Sequence, residues 1–301
     1  MIAVLGSGIM GSAFARNAAR AGLPTILWDR NAARGAAFAG DGMTFTTDVA
    51  QAVRDADVVV TMVADADAVM NVMERLGALA AMKAGASWLQ MATIGLDGTE
   101  RAIRLAATRP ELVFLDAPVS GSRGPAEAGK LVVLASGDRE RAGAAAEAFF
   151  GAIASQVHWL GDAGQGTRMK LAFNAWIGIM MEGVAEIVTL CGALSVDPAR
   201  FGELVAGGPL VPAWALAKLR KIVDGDVTET EFPLRWAEKD LVLALSASAH
   251  ASAALPILNE IAAVWSEAVA EFGSDDLSAV YLALQRRKTA PSASQDDAPP
   301  P

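Results

Sequence analysis

The chain has 301 residues, enough for two domains with well-formed cores. Its 25 Lys and Arg stand against 34 Asp and Glu, a net charge of -9, which argues against nucleic acid as the main partner while leaving room for a small anionic substrate held by local positive groups. The one cysteine, Cys191, cannot form an intramolecular disulfide, and His158 and His250 lie far apart without a metal-ligand companion pattern, so neither zinc nor a histidine triad is expected.

The chain opens on an apolar strand, Ile2–Leu5, that runs into the turn Gly6-Ser7-Gly8-Ile9-Met10-Gly11 and an alanine-rich helix over 12–21. A second strand, Thr25–Trp28, follows. This order is that of a dinucleotide-binding unit. Gly6 makes the tight turn, Gly8 lets the backbone approach a pyrophosphate, and Gly11 lets the helix pack on the strand. The phosphates then rest on backbone N–H groups near Ile9 and Met10, at the positive end of the helix dipole. Asp29 lies 18 residues past Gly11, where an acidic ribose ligand belongs. It would accept bonds from a free 2′-hydroxyl and favour NAD(H), whereas Arg30 and Arg34 pull toward the 2′-phosphate of NADP(H); both cofactors stay open.

Strand-like segments at 58–63, Ser87–Gln90, 113–115, 131–134 and 156–159 alternate with helical ones, the pattern of a parallel sheet covered on both faces. After Trp159 only helical periodicity remains: a long apolar segment over 169–194, then Pro198–Val205, 211–222, Leu234–His250, Pro256–Phe272 and 276–287. The expected architecture is therefore an α/β dinucleotide-binding domain over 1–161, an all-α domain over 162–289 entered through a long interdomain helix, and a tail over 290–301 with no apolar face to bury, expected to be disordered. The fingerprint strand begins at residue 2 and no apolar run of about 18 residues lacks polar interruption, so a cytoplasmic protein without a membrane partner is expected. The long helix is apolar on several faces, more than one small domain covers, and a homodimer or homotetramer is expected.

Four motifs carry a resemblance: the Gly6–Gly11 turn, Asp116-Ala-Pro-Val-Ser-Gly-Ser122, Gly164-Gln-Gly-Thr-Arg-Met-Lys-Leu-Ala-Phe-Asn174, and Lys239-Asp240. From Ile2 to about Arg287 the chain resembles the β-hydroxyacid dehydrogenase family, which includes 3-hydroxyisobutyrate dehydrogenase and, more distantly, 6-phosphogluconate dehydrogenase. The segments 118–129 and 232–240 look most like its glyoxylate and succinic semialdehyde reductase branch. The resemblance implies a Rossmann-type first domain and reversible hydride transfer between a nicotinamide cofactor and a small hydroxyacid or semialdehyde. The branch leans toward NADP(H). The family's catalytic lysine matches Lys170, its cofactor or substrate contacts match Thr93, Lys239 and Asp240, and Val63-Ala64 stand where it commonly has Leu-Pro under the nicotinamide. Phe232 is implied as a wall of the substrate pocket.

The residues reach the same site by their own chemistry. Lys170 and Asn174 follow a glycine-rich turn and share a helix face four residues apart. Reducing an aldehyde creates an alkoxide, so a positioned ammonium can give the proton while the amide orients the substrate. Ser120-Gly121-Ser122, just past a predicted strand, offers amides and hydroxyls to a substrate carboxylate. Glu182 and Glu186 share a helix face but read as solvated or interfacial, and Met180, Met181 and the tryptophans read as packing. An imine reductase of the same architecture is one alternative, although such enzymes generally replace the lysine. A non-catalytic dinucleotide-binding regulatory protein is another.

Overall fold

In the computed structural model, which describes residues 1–287 apart from Ala39 and Leu210, nine strands form one sheet. They are β1 (Ile2–Leu5), β2 (Thr25–Trp28), β3 (Thr44–Thr46), β4 (Val58–Thr61), β5 (Ser87–Gln90), β6 (Val113–Asp116), β7 (Val119–Ser120), β8 (Leu131–Gly137) and β9 (Ala154–Trp159). The tail expected over 290–301 lies outside the described residues. The strand order is β3-β2-β1-β4-β5-β6-β8-β7, with β9 on β8. From β3 to β6 every pair is parallel, with Ile2 level with Thr25 on one side and Val58 on the other.

The sheet is not parallel throughout, as the alternation of elements had implied. β8 runs antiparallel to both β6 and β7, then pairs in parallel with β9. A β8 that follows only a two-residue strand and the five-residue helix Arg123–Glu127 is reached by a short return, whereas a parallel crossover needs a dozen residues or more. The strands read as continuous apolar runs because both faces are buried. Ile2, Val4, Val58 and Val60 pack into one core with Phe14, Phe149 and Phe150, while Ala3, Leu5, Val59 and Trp88 pack into the other with Val69, Met73 and Leu79.

The chain divides into two compact units, Met1–Phe173 and a second that begins at Asn174. The 29-residue helix Gln165–Ala193 contributes its first turns to the first unit and its remainder to the second. By length and composition it could cross a bilayer. Leu171 is buried in the first unit and Met181, Ala185 and Val188 in the second, while about two thirds of the helix's most apolar window is not buried. Helices Pro198–Val205, Ala213–Val223, Leu234–His250 and Pro256–Phe272 complete the second unit. All four start at or directly after a proline, whose fixed φ suits the first turn. The helix expected over 276–287 is split into a 3-10 turn, Leu277–Ala279, and a helix, Val280–Arg287, with the Asp276 carboxylate capping the turn through the Ser278 N–H.

Candidate active site

The glycines of the first turn divide by what surrounds them. Gly6 has φ +115°, and a Cβ on it would lie 2.4 Å from the Met62 carbonyl oxygen; a Cβ on Gly11 would lie 2.0 Å from the carbonyl oxygen of Gly6. These two are demanded by the protein's own packing. A Cβ on Gly8 would meet nothing within 4 Å, so Gly8 borders open space at the N-terminus of the helix Ile9–Arg20. That end carries no side-chain cap and no acidic residue in its first turn. A backbone cradle with free room over Gly8 and positive helix-end character fits a dinucleotide pyrophosphate. Met62 and Val63 press against Gly6, which brings the 62–65 loop, with exposed Ala64, alongside the cradle. Thr93 is half-buried in the loop after β5.

At the end of β2, Asp29 is held by the cradle itself. Ser7 donates to its Oδ2 from N–H (3.1 Å) and hydroxyl (2.5 Å), and the Asn31 N–H donates to Oδ1 (3.0 Å). Partial burial pushes its pKa up, but these hydrogen bonds and the Arg34 guanidinium, 3.7 Å away, outweigh that and hold it below the ordinary carboxylate range. Arg34 also donates to the Ser7 carbonyl (3.1 Å). Arg30 is exposed and makes no ion pair or hydrogen bond among the described residues.

Ser120 closes β7, Gly121 follows at φ +128°, and Ser122 stands before the short helix Arg123–Glu127 without capping it through its side chain. A Cβ on Gly121 would lie 2.6 Å from Leu131 Cδ2, so conformation and space both require glycine. Arg123 pairs with Glu127 at 2.8 Å.

Lys170 is half-buried, one turn into the long helix. Sequence reasoning missed what holds that turn. Asp116, fully buried at the end of β6, receives the Thr167 N–H on Oδ2 (2.7 Å) and the Thr167 hydroxyl on Oδ1 (2.7 Å). Ser136, its cross-strand neighbour in β8, donates to the Asp116 carbonyl (3.0 Å) with Oδ2 at 3.2 Å, and accepts from the Gly166 N–H (2.9 Å). The Thr99 and Thr167 hydroxyls meet at 2.9 Å. A Cβ on Gly166 would lie 2.3 Å from the Leu134 carbonyl oxygen, so the helix enters flush against the sheet. Both partners lie in motifs already singled out, but their pairing joins residues 51 apart and leaves no trace in spacing.

In the second unit, Asn174 Nδ2 donates to Asp240 Oδ2 (2.7 Å) and Lys239 Nζ lies 3.0 Å from Asp240 Oδ1, so three expected site residues form one group. Asn174 is buried, and its Oδ1 has no hydrogen-bond partner among the described residues. Phe232 is half-buried in a loop fixed through its backbone: its N–H donates to Asp276 Oδ2 (3.3 Å) and its carbonyl accepts from the Leu277 N–H (2.9 Å). Asp276 in turn pairs with buried Lys218 at 2.8 Å.

Two packing expectations are corrected. Glu182 is not solvated: it is buried and accepts from Trp265 Nε1 (2.7 Å), while Oε1 has no partner among the described residues. Burial, reinforced by Glu186, raises its pKa against the pull of Trp265 and Arg287. Trp176 is 56% exposed rather than packed, because it faces outward from the long helix. No group of three or more His, Cys, Asp or Glu among the described residues could hold a metal ion.

Comparison with known proteins identifies the lineage of the chain. Residues 1–161 match the NAD binding domain of 6-phosphogluconate dehydrogenase, and 164–284 match the NAD-binding domain of NADP-dependent 3-hydroxyisobutyrate dehydrogenase. The chain belongs to the β-hydroxyacid dehydrogenase family. Glyoxylate/succinic semialdehyde reductase 2 of Arabidopsis thaliana is 31% identical over 291 residues, 96% of this chain and 80% of that protein. The cytokine-like nuclear factor N-PAC of Anopheles gambiae is 30% identical over 283 residues, 92% of this chain but 49% of that protein, so the chain spans about half its length. A 3-hydroxyisobutyrate dehydrogenase from Salmonella typhimurium shares 27% identity with a TM-score of 0.83, over 93% of this chain and 98% of that one. As a β-hydroxyacid dehydrogenase the chain is a nicotinamide-dependent oxidoreductase acting on CH–OH groups.

Proposed function

We propose that this dehydrogenase interconverts a small carboxylate-bearing β-hydroxyacid and its aldehyde or semialdehyde, with Lys170 as general acid and base. The observation that carries the reading is the place of Lys170, half-buried one turn past an anchored glycine-rich entry and four residues before Asn174. In reduction, negative charge grows on the carbonyl oxygen as its carbon gains a hydrogen, and the Lys170 ammonium gives that oxygen a proton. In oxidation, the neutral amine takes the hydroxyl proton. The bound nicotinamide supplies or accepts the hydride.

Asn174 orients the substrate: with Nδ2 committed to Asp240, its unpaired Oδ1 is a buried acceptor that a substrate hydroxyl would satisfy. The amides and hydroxyls of Ser120, Gly121 and Ser122 receive the carboxylate. Phe232 walls the substrate, and Lys239 and Asp240 keep the roles implied by resemblance. The cofactor reading leans to NADP(H), because exposed Arg30 has its guanidinium uncommitted for a 2′-phosphate. The charged Asp29 opposes that phosphate and keeps NADH usable.

The reading extends to assembly. Trp176, Ile179, Ile187, Leu190 and Leu194 form an exposed apolar stripe along and just past the long helix, which a second copy of the chain would cover in a dimer or tetramer, as light scattering can check.

The decisive experiment follows reduced-nicotinamide absorbance with NADPH or NADH against glyoxylate, succinic semialdehyde, tartronate semialdehyde and a cyclic imine. Turnover of an aldehyde is expected. Lys170→Ala should lower it by about two to four orders of magnitude with dinucleotide binding nearly intact. Arg30→Ala should raise the KM for NADPH about tenfold and leave NADH little changed. Wild-type turnover in Lys170→Ala would sink the mechanism, turnover of the imine alone would favour the imine reductase reading, and dinucleotide binding without any turnover would favour the regulatory one.

A further inference from the structure

The first turn of a helix has four N–H groups without intrahelical partners. In the helix Gln165–Ala193 each N–H from Gln165 to Arg168 has a partner, and only the last of these bonds is the regular one to the fourth residue back. Gln165 donates to the Asp162 carbonyl (3.2 Å), Gly166 to Ser136 Oγ (2.9 Å), Thr167 to Asp116 Oδ2 (2.7 Å) and Arg168 to the Gly164 carbonyl (3.2 Å). The two central donors are met by side chains of the sheet, 30 and 51 residues away, rather than by a local cap. The Thr167 hydroxyl adds a second bond to the same carboxylate and abuts Thr99.

Rotation and depth of this turn are thus fixed against β6 and β8. Lys170 lies three residues beyond Thr167 and four beyond Gly166, so it rises from the face that carries the anchor. Helical Cα–Cβ bonds tilt toward the N-terminus, so the lysine leaves the backbone over the anchored turn. A carboxylate offers acceptors only, and here both of its oxygens receive donors, which gives the anchor one hydrogen-bonded arrangement.

We propose that Asp116 and Thr167 are the positioning residues of Lys170: together they set the rotation of the helix entry, and through it the aim of the ammonium at the substrate oxygen. This rests on the reading of Lys170 as the proton donor. A displacement of about 1 Å at a reacting group can cost about a hundredfold in rate, so the anchor acts on turnover rather than on cofactor affinity.

The test compares Thr167→Val, which is nearly isosteric and removes the hydroxyl, with Thr167→Ser, which keeps it, beside Asp116→Asn and Lys170→Ala. Turnover is measured on whichever of glyoxylate and succinic semialdehyde the wild type reduces, NADPH affinity by nicotinamide fluorescence, and folding by thermal melt. The seven lysines are also carbon-13 dimethylated, with the Lys170 signal assigned by its loss in Lys170→Ala. Thr167→Val should lower kcat about tenfold to a hundredfold and move the Lys170 signal, with NADPH affinity within about twofold; Asp116→Asn should lower kcat about a hundredfold. Thr167→Ser should stay within about threefold of wild type. A merely structural bond would lower the melting temperature without moving the Lys170 signal. The proposal is overturned if folded Thr167→Val keeps kcat and the lysine signal, or if Thr167→Ser loses as much as Thr167→Val. Wild-type rates in Lys170→Ala would instead sink the mechanism beneath it, and the lysine signal reads the anchor even if neither aldehyde is reduced.

Discussion

Asp116 in the first unit and Asp276 in the second are both fully buried and both accept hydrogen bonds on each carboxylate oxygen, but among the described residues only Asp276 has a cation against it. Asp276 faces Lys218 at 2.8 Å, and also receives the N–H groups of Glu231 (3.1 Å) and Ser278 (3.1 Å). Asp116 has only N–H and hydroxyl dipoles. The consequence is opposite. Burial raises the pKa of Asp116 in spite of Thr167 and Ser136, whereas at Asp276 burial pushes up but Lys218, then Ser278, push down harder, and the net shift is downward. Dipoles can satisfy the lone pairs of a buried carboxylate without balancing its charge.

The largest effect should come from unbalancing the charged pair. Lys218→Met leaves Asp276 as an uncompensated buried charge and should cost about 3–5 kcal/mol in urea unfolding at neutral pH. Asp276→Asn should cost less, because Glu231, 3.2 Å from Lys218 Nζ, still faces the ammonium. A lowered carboxylate pKa contributes stability above its unfolded value, lost as pH falls through the folded value. The deficit of Asp276→Asn should therefore shrink in acid below about pH 4.

Asp116→Asn should cost about 1–3 kcal/mol by disturbing the donors it satisfies. Its pH trend should run the other way. A raised pKa contributes stability below the unfolded value that is lost as pH rises through the folded one, so this deficit should be largest in acid and narrow toward neutrality. Parallel pH trends in the two variants would break the comparison.

Glu182→Gln sharpens it with a third buried acid whose pKa is raised, first by burial. Glutamine keeps an acceptor for Trp265 Nε1 and removes the charge, so stability at neutral pH should change by less than about 1 kcal/mol or rise slightly. Any gain should grow with pH. A loss above about 2 kcal/mol in the same unfolding assay would show that charge, not shape, is what the site holds.

Legibility in the sequence follows the same division between local and distant causes. Pro198–Val205, Leu234–His250 and Pro256–Phe272 are readable to the residue, because a proline sits at or just before each first turn and an apolar stripe runs behind it. β3 and β7 are not readable: Thr44–Thr46 is partly exposed and lacks apolar alternation, and Val119–Ser120 is two residues long. The long helix begins at Gln165 instead of 169 because the glycines that look like a loop are an entry pressed onto the sheet. The cradle glycines and Asp29 follow from a motif whose parts are adjacent in sequence. Asp116, Ser136 and Thr167 share no spacing, so their joint role exists only once β6 and β8 pair and the helix arrives beside them.

Similarity divides the chain at 161 and 164, yet the carboxylate at the end of β6 has its nearest donors at Thr167. A fragment ending at residue 161 would keep Ser136 but strip Asp116 of both bonds from Thr167, leaving the acid with the longer contact to Ser136 in place of its two shortest ones. A fragment ending at Phe173 keeps them. The unit of inheritance and the compact unit differ here by about two and a half turns of helix, and grafting this dinucleotide module elsewhere means carrying that stub along.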